Sequence, residues 1–196
     1  MARGLLLVLS GPSGVGKTTI AHELLRRFGG HFSVSCTTRA PAAGEREGVD
    51  YRFISETEFT RMVDADAFLE HALVFGRSSY GTPRSEVDAS LAAGELVVLD
   101  IDVQGAEQVH ARVPEMLGVF ILPPHEEALL DRLRQRGRDD EAAIQRRFAE
   151  ARREMDRARN NGVYNSFVVN DDLSGAIEHV AELVAARLGR VSTHAH

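Results

Sequence analysis

Leu5-Leu6-Leu7-Val8-Leu9-Ser10-Gly11-Pro12-Ser13-Gly14-Val15-Gly16-Lys17-Thr18-Thr19-Ile20-Ala21-His22-Glu23-Leu24-Leu25 is the stretch on which the fold turns. Leu5 to Ser10 is a short apolar run suited to a buried strand, and Thr19 to Leu25 has the spacing of an amphipathic helix. Between them stand Gly11 and Gly16, four residues intervening, followed by Lys17 and Thr18, which is the pattern of a phosphate-binding loop. Glycines 11, 14 and 16 let the chain turn tightly enough to aim successive N–H groups and a helix N-terminus at one anion, with Pro12, Ser13 and Val15 completing the cradle. Lys17 is expected to reach the β- and γ-phosphates of a bound nucleoside triphosphate, and Thr18 to offer its hydroxyl to Mg²⁺. Lys17 is the only lysine, and every other Lys/Arg position of the protein is arginine. A compact ammonium enters a ring of backbone amides where a planar guanidinium does not fit.

At 196 residues the chain can bury one good core, so a single domain with inserted subdomains is expected. A net charge of −6 argues against binding a nucleic-acid polymer through a basic surface, although arginine outnumbers acid between Arg132 and Arg159. Cys36 is the only cysteine, which excludes an intrachain disulfide and suits a reducing cytoplasm. No Cys/His cluster has metal-ligand spacing. Met1 to Gly4 lead into the first strand without a signal-peptide pattern, and no apolar run approaches the roughly 20 residues that span a bilayer. A cytoplasmic protein that stays off membranes is expected.

Apolar runs at Leu5 to Ser10, Leu96 to Ile101, Gly118 to Leu122 and Phe167 to Val169 are each followed by a helical pattern. That alternation predicts a parallel sheet covered on both faces, an α/β fold. Gly94 ends the helix before the second run, Pro123-Pro124 closes the third, and Ser174 is the expected N-cap of the last helix. The rhythm breaks after Ser33. Phe32 to Cys36 and Tyr51 to Ile54 read as strand pieces, and Ser55-x-x-Glu58 has the capping-box spacing of a helix start, so an inserted α+β lobe is predicted. The arginine-rich stretch reads as two helices joined at Arg136-Gly137-Arg138-Asp139-Asp140.

Ser35-Cys36-Thr37-Thr38-Arg39-Ala40-Pro41, Gly44-Glu45, Gly48-Val49-Asp50-Tyr51, Phe68-Leu69-Glu70, Tyr80-Gly81-Thr82, Leu99-Asp100-Ile101-Asp102-Val103-Gln104-Gly105 and Val169-Asn170-Asp171-Asp172 together resemble guanylate kinase, in that family's order and over nearly the whole chain. The resemblance implies the fold of the P-loop nucleoside monophosphate kinases, with a core of about 1–32, 84–125 and 160–190, a GMP-binding lobe of about 33–83 and a helical lid of about 126–159. It implies transfer of the ATP γ-phosphoryl group to GMP, and to dGMP, with Mg²⁺ required. Glu70 and Asp102 are then the acceptors for the guanine N1–H and amino group, with Ser35 and Thr82 supplying hydroxyls. Arg39, Tyr51 and Tyr80 are assigned to the GMP phosphate, with Glu45 beside them. Asp100, with Thr18, is placed to hold Mg²⁺ directly or through water. Arg132, Arg136 and Arg147 resemble the lid arginines, and Asn170 is expected at the adenine edge.

Two departures from the family stand out. Ala42 occupies the place of a second phosphate-binding arginine, and Gly76-Arg77-Ser78-Ser79-Tyr80 carries one residue more than the usual spacing. Arg77 or Arg46 is the expected partial replacement for the missing charge. Two other functions remain open on the sequence: a catalytically weak module of the same fold that binds a protein, and a P-loop kinase of another small phosphorylated acceptor.

Overall fold

The computed structural model describes residues 4–74, 78–135 and 140–189. From the N-terminus run β1 (Leu5–Ser10), α1 (Lys17–Phe28), β2 (His31–Phe32), β3 (Cys36–Thr37), β4 (Arg52–Phe53), α2 (Glu56–Asp64), β5 (Phe68–Val74) and β6 (Ser78–Pro83). They are followed by α3 (Arg84–Ala92), β7 (Leu96–Asp100), α4 (Val103–Arg112), β8 (Leu117–Leu122), α5 (Glu126–Gln135), α6 (Glu141–Asn160), β9 (Ser166–Val169) and α7 (Leu173–Arg187).

The main sheet is parallel throughout, in the order β2-β7-β1-β8-β9. Its central strand shows why the sequence reads as an unbroken apolar run. Leu5, Leu7 and Leu9 pack on one face against Ile20 and Leu24 of α1 and Val180 and Val184 of α7, while Leu6 and Val8 pack on the other against Val87, Leu91 and Val109. Both faces are covered, so every residue of β1 is buried. β1 leads through α1 to β2 at one edge, whereas β7 leads through α4 to β8 on the far side of β1, so the connections run in opposite directions from the carboxyl ends of these neighbouring strands. A crevice opens there, the usual ligand position in a sheet of this kind.

A second, mixed sheet, β4-β3-β6-β5, lies within residues 36–83. Its hairpin of β5 and β6 was not legible as alternation, because Phe68, Leu69 and Glu70 are all buried and the register shifts between Phe68 and Glu70. The stretch Phe32 to Cys36 is not one strand. Phe32 pairs with β7 of the main sheet and Cys36 with β4 and β6 of the second, so the chain crosses between sheets at Ser33 to Ser35. The last helix is capped by Asp172, whose carboxylate accepts from Gly175 N at 2.7 Å, rather than by Ser174, which lies inside the helix. An aspartate is as good an N-cap as serine, and here it falls at the residue where the backbone is still extended. Ser55 caps α2 as expected, accepting from Glu58 N, and Gly94 follows α3 with a φ of 83°.

Candidate active site

The donor side is the turn from β1 into α1. Gly11 and Gly16 have φ of 140° and 101°, and a side chain at either would collide, 2.3 Å from the Ile121 carbonyl oxygen and 2.6 Å from the Asn170 amide nitrogen. The loop is therefore pressed against β8 on one side and braced by the chain after β9 on the other. Lys17 folds back over it and donates to the Gly11 carbonyl at 2.7 Å and to Pro12 at 3.3 Å. At the end of β7, Asp100 accepts from the Thr18 hydroxyl at 2.9 Å and stands 3.7 Å from the Lys17 ammonium.

Asn170 is buried, and its side-chain amide nitrogen donates to the Val15 carbonyl at 2.7 Å. Its backbone carbonyl accepts from Arg132 at 3.1 Å. One N–H of its side-chain amide thus braces the loop. Arg147 reaches across from α6 and donates to the Ser13 hydroxyl at 3.0 Å. Arg136 and Arg77 lie outside the described residues.

On the acceptor side Glu70, only 5 % exposed, accepts from the Thr82 hydroxyl at 2.6 Å. Burial is the main cause that raises its carboxyl from the ordinary glutamate value to about 7, and nearby Asp102 adds to it. The Thr82 proton is spent on Glu70, so Thr82 sets the carboxyl's orientation. Asp102 does two things at once: one oxygen caps α4 by accepting from Gly105 N at 2.7 Å, and the carboxyl also faces the cavity. Gly105 allows this closeness, since a side chain there would come within 2.9 Å of Glu70 Oε2. Ser35 lines the same space and accepts from Arg52 N through its backbone carbonyl.

Arg39 is held in a cage. Its Nε donates to the Tyr80 hydroxyl at 3.0 Å, its terminal nitrogens pair in parallel with both Glu45 oxygens at 2.8 and 2.9 Å, and a further N–H donates to the Ala40 carbonyl. The guanidinium also lies 5.4 Å from the Tyr51 ring centre, and Tyr51 and Tyr80 meet edge to face. Ala42 donates its backbone N–H to Glu45 at 2.7 Å. Arg46 bonds through its own N–H to Asp50 and its side chain is largely exposed.

The two sides share one cavity of about 600 Å³, in which Lys17, Asp100 and Ser13 face Glu70, Asp102, Tyr51 and Tyr80. Sequence reasoning missed two features. Gln108 of α4 ties that helix to β5 of the second sheet, accepting from the His71 backbone N–H and donating to its carbonyl. Glu154 of α6 lines the cavity, and its distance of seven residues from Arg147, two helical turns, is the signal that would have found it.

A phosphate loop at the strand ends and a buried carboxylate pocket opening into one cavity define a P-loop enzyme with separate donor and acceptor sites. The guanylate kinase family model matches residues 3–187. Relatives described as guanylate kinase include one from Anaeromyxobacter dehalogenans, 50% identical over 183 residues, covering 92% of this chain and 80% of the relative. Another, from Gloeobacter violaceus, is 51% identical over 180 residues and covers 91% and 86%. The crystal structure of guanylate kinase from Anaplasma phagocytophilum superposes with a TM-score of 0.76 at 31% identity, covering 97% of this chain and 89% of that one. The chain belongs to the guanylate kinase family. Its activity is ATP:GMP phosphotransfer, and neither a protein-binding module nor a kinase of another acceptor is favoured.

Proposed function

We propose that Lys17, Arg39, Arg132, Arg136 and Arg147 carry this phosphoryl transfer, with ATP on Gly11 to Thr18 and GMP on Ser35, Arg39, Glu45, Tyr51, Glu70, Tyr80, Thr82 and Asp102. The observation that supports it is the single cavity bounded by both Lys17 and Glu70. The attacking oxygen of GMP is already anionic, so no general base is needed; the work is alignment and neutralisation of crowded phosphate charge. Lys17 exchanges its loop carbonyls for phosphate oxygens, and the amides of Gly14, Val15 and Gly16 hold the polyphosphate in a fixed field. Arg147 and Arg132, both bonded beside the loop, add positive charge from the lid and help keep water out. Asn170 acts on the donor site through Val15.

Thr18 and Asp100 would hold Mg²⁺, directly or through water. Two hard oxygen donors already 2.9 Å apart suit a small cation that keeps most of its shell as water and phosphate. When bound, the ion neutralises and orients the β- and γ-oxygens. Residues 33–83 serve as the acceptor lobe and 126–159 as the lid. A reducing cytoplasm is the proposed setting, supported by Cys36, a free and buried thiol.

A coupled ADP-release assay with GMP, AMP and ribose 5-phosphate tests the reading. GMP is expected to turn over and the others not, because adenine would leave Glu70 and Asp102 unpaired. Lys17→Met is expected to lower kcat by about 100-fold or more with folding intact. Preference for AMP, or full activity in Lys17→Met, would overturn it.

A further inference from the structure

α6 walls the cavity between the base pocket and the phosphate loop. The stripe it presents there includes Arg147, Glu150, Glu154 and Arg157, at helical spacings of three and four. Both arginines have partners: Arg147 bonds Ser13, and Arg157 forms a two-pronged pair with Glu107. The half-buried carboxylate of Glu154 has, among the described residues, no hydrogen bond and no ion pair. Burial, with Asp102 and Glu150 nearby, pushes its carboxyl up to about 7 against an opposing pull from Lys17. It is therefore a proton acceptor without a donor, facing the space a substrate fills.

The surroundings restrict which donor it can receive. A carboxylate in a cavity that takes two phosphorylated nucleotides repels phosphate, so it must meet a part of the substrate that is neutral and carries protons. GMP offers such protons at the guanine N1 and amino group and at the two ribose hydroxyls. Glu70 and Asp102 take the first set in the reading above, on which this inference rests. Glu154 lines the same cavity as Asp102, at the base pocket, and Lys17, at the phosphate loop, and feels the charge of both. Tyr51 and Tyr80, assigned to the GMP phosphate, line that cavity too, and the ribose is what joins base and phosphate in a bound acceptor.

We propose that Glu154 is a specificity-determining residue whose carboxylate accepts hydrogen bonds from the 2′- and 3′-hydroxyls of GMP, so that the lid helix reads the sugar while the lobe reads the base. A vicinal diol suits a carboxylate, which can take two parallel O–H donors, one on each oxygen.

The test is kcat/KM for GMP, 2′-deoxy-GMP and 3′-deoxy-GMP, measured on the full chain unaltered and as Glu154→Ala and Glu154→Gln. The unaltered chain is expected to favour GMP over at least one deoxy acceptor by about tenfold or more, the worth of a hydrogen bond to a charged group. In Glu154→Ala the efficiency with GMP falls by that factor while the deoxy acceptor stays within about twofold, so the preference disappears. Glu154→Gln keeps the side chain's shape, stands in if the alanine variant does not fold, and is expected to lose most of the preference. Equal loss with all three acceptors, or a GMP preference that survives in both variants, overturns the proposal. An unaltered chain that fails to phosphorylate GMP at all overturns the underlying reading as well, and that failure is visible before any variant is made.

Discussion

Glu70 holds its proton more tightly in the folded chain than a solvated glutamate does, because burial disfavours the charge. Two consequences follow for pH. The folded state binds more protons than the unfolded one between about 4.5 and 7, so this group's contribution to stability declines as pH rises through that window and is lowest above it. Binding runs the other way, since guanine's N–H donors need the carboxylate. GMP affinity is expected to strengthen about tenfold from pH 6 to pH 8, measured by calorimetric titration, with a proton released on binding below pH 7. In Glu70→Gln that part of the pH dependence disappears, which separates it from ionisation of the GMP phosphate. At the far end of the acceptor, Arg39 has four of its N–H groups engaged, two of them by Glu45. A second arginine would compete for that carboxylate and free the first. Ala42→Arg is therefore expected to lower the KM for GMP by about tenfold, as one added charge-assisted bond would.

Among elements, α4 shows how a structural cap and a binding group share one side chain. Asp102→Asn keeps an equally good cap and removes the charge, whereas Asp102→Ala removes both. The asparagine variant is expected to raise the KM for GMP with little change in Tm, and the alanine variant to raise KM and also cost about 1 kcal/mol of stability by thermal or urea unfolding. This double use explains why the sequence was legible in some places and opaque in others. β1, its loop and α1 could be read because an apolar run, three positive-φ glycines and a lone lysine each demand the same local structure. The hairpin of β5 and β6 could not, because a buried glutamate breaks the two-residue period that marks a strand. Ser174 and Asp172 are both competent caps, and only the backbone conformation at Asp172 decides between them. Glu154 escaped notice because a charge on an arginine-rich helix normally faces solvent, and only packing against the cavity distinguishes it.

At the level of the molecule, the second sheet is tied to the core where β2 gives way to β3 and where Gln108 of α4 grips His71. The nucleotide cavity lies between the main sheet, the lobe and α6, so a ligand that touches all three ties them together. Saturation at about 100 times Kd contributes roughly 2.7 kcal/mol for each independent nucleotide. For a chain of this length that corresponds to a rise in Tm of about 5–10 °C per ligand. ATP analogue and GMP together are expected to raise Tm by at least the sum of their separate effects in differential scanning fluorimetry. Lys17→Met should lose the ATP portion and keep the GMP portion.

That lysine has one more consequence. An endoproteinase that cuts only after lysine finds a single bond in this sequence, Lys17–Thr18, in the first turn of α1, and the side chain it must grasp is 14% exposed. The intact helix start cannot enter such an enzyme's cleft, so cleavage has to wait for the turn to unwind. The rate at which the chain falls into two fragments is then a clock for opening of the phosphate cradle, and a bound triphosphate should slow it.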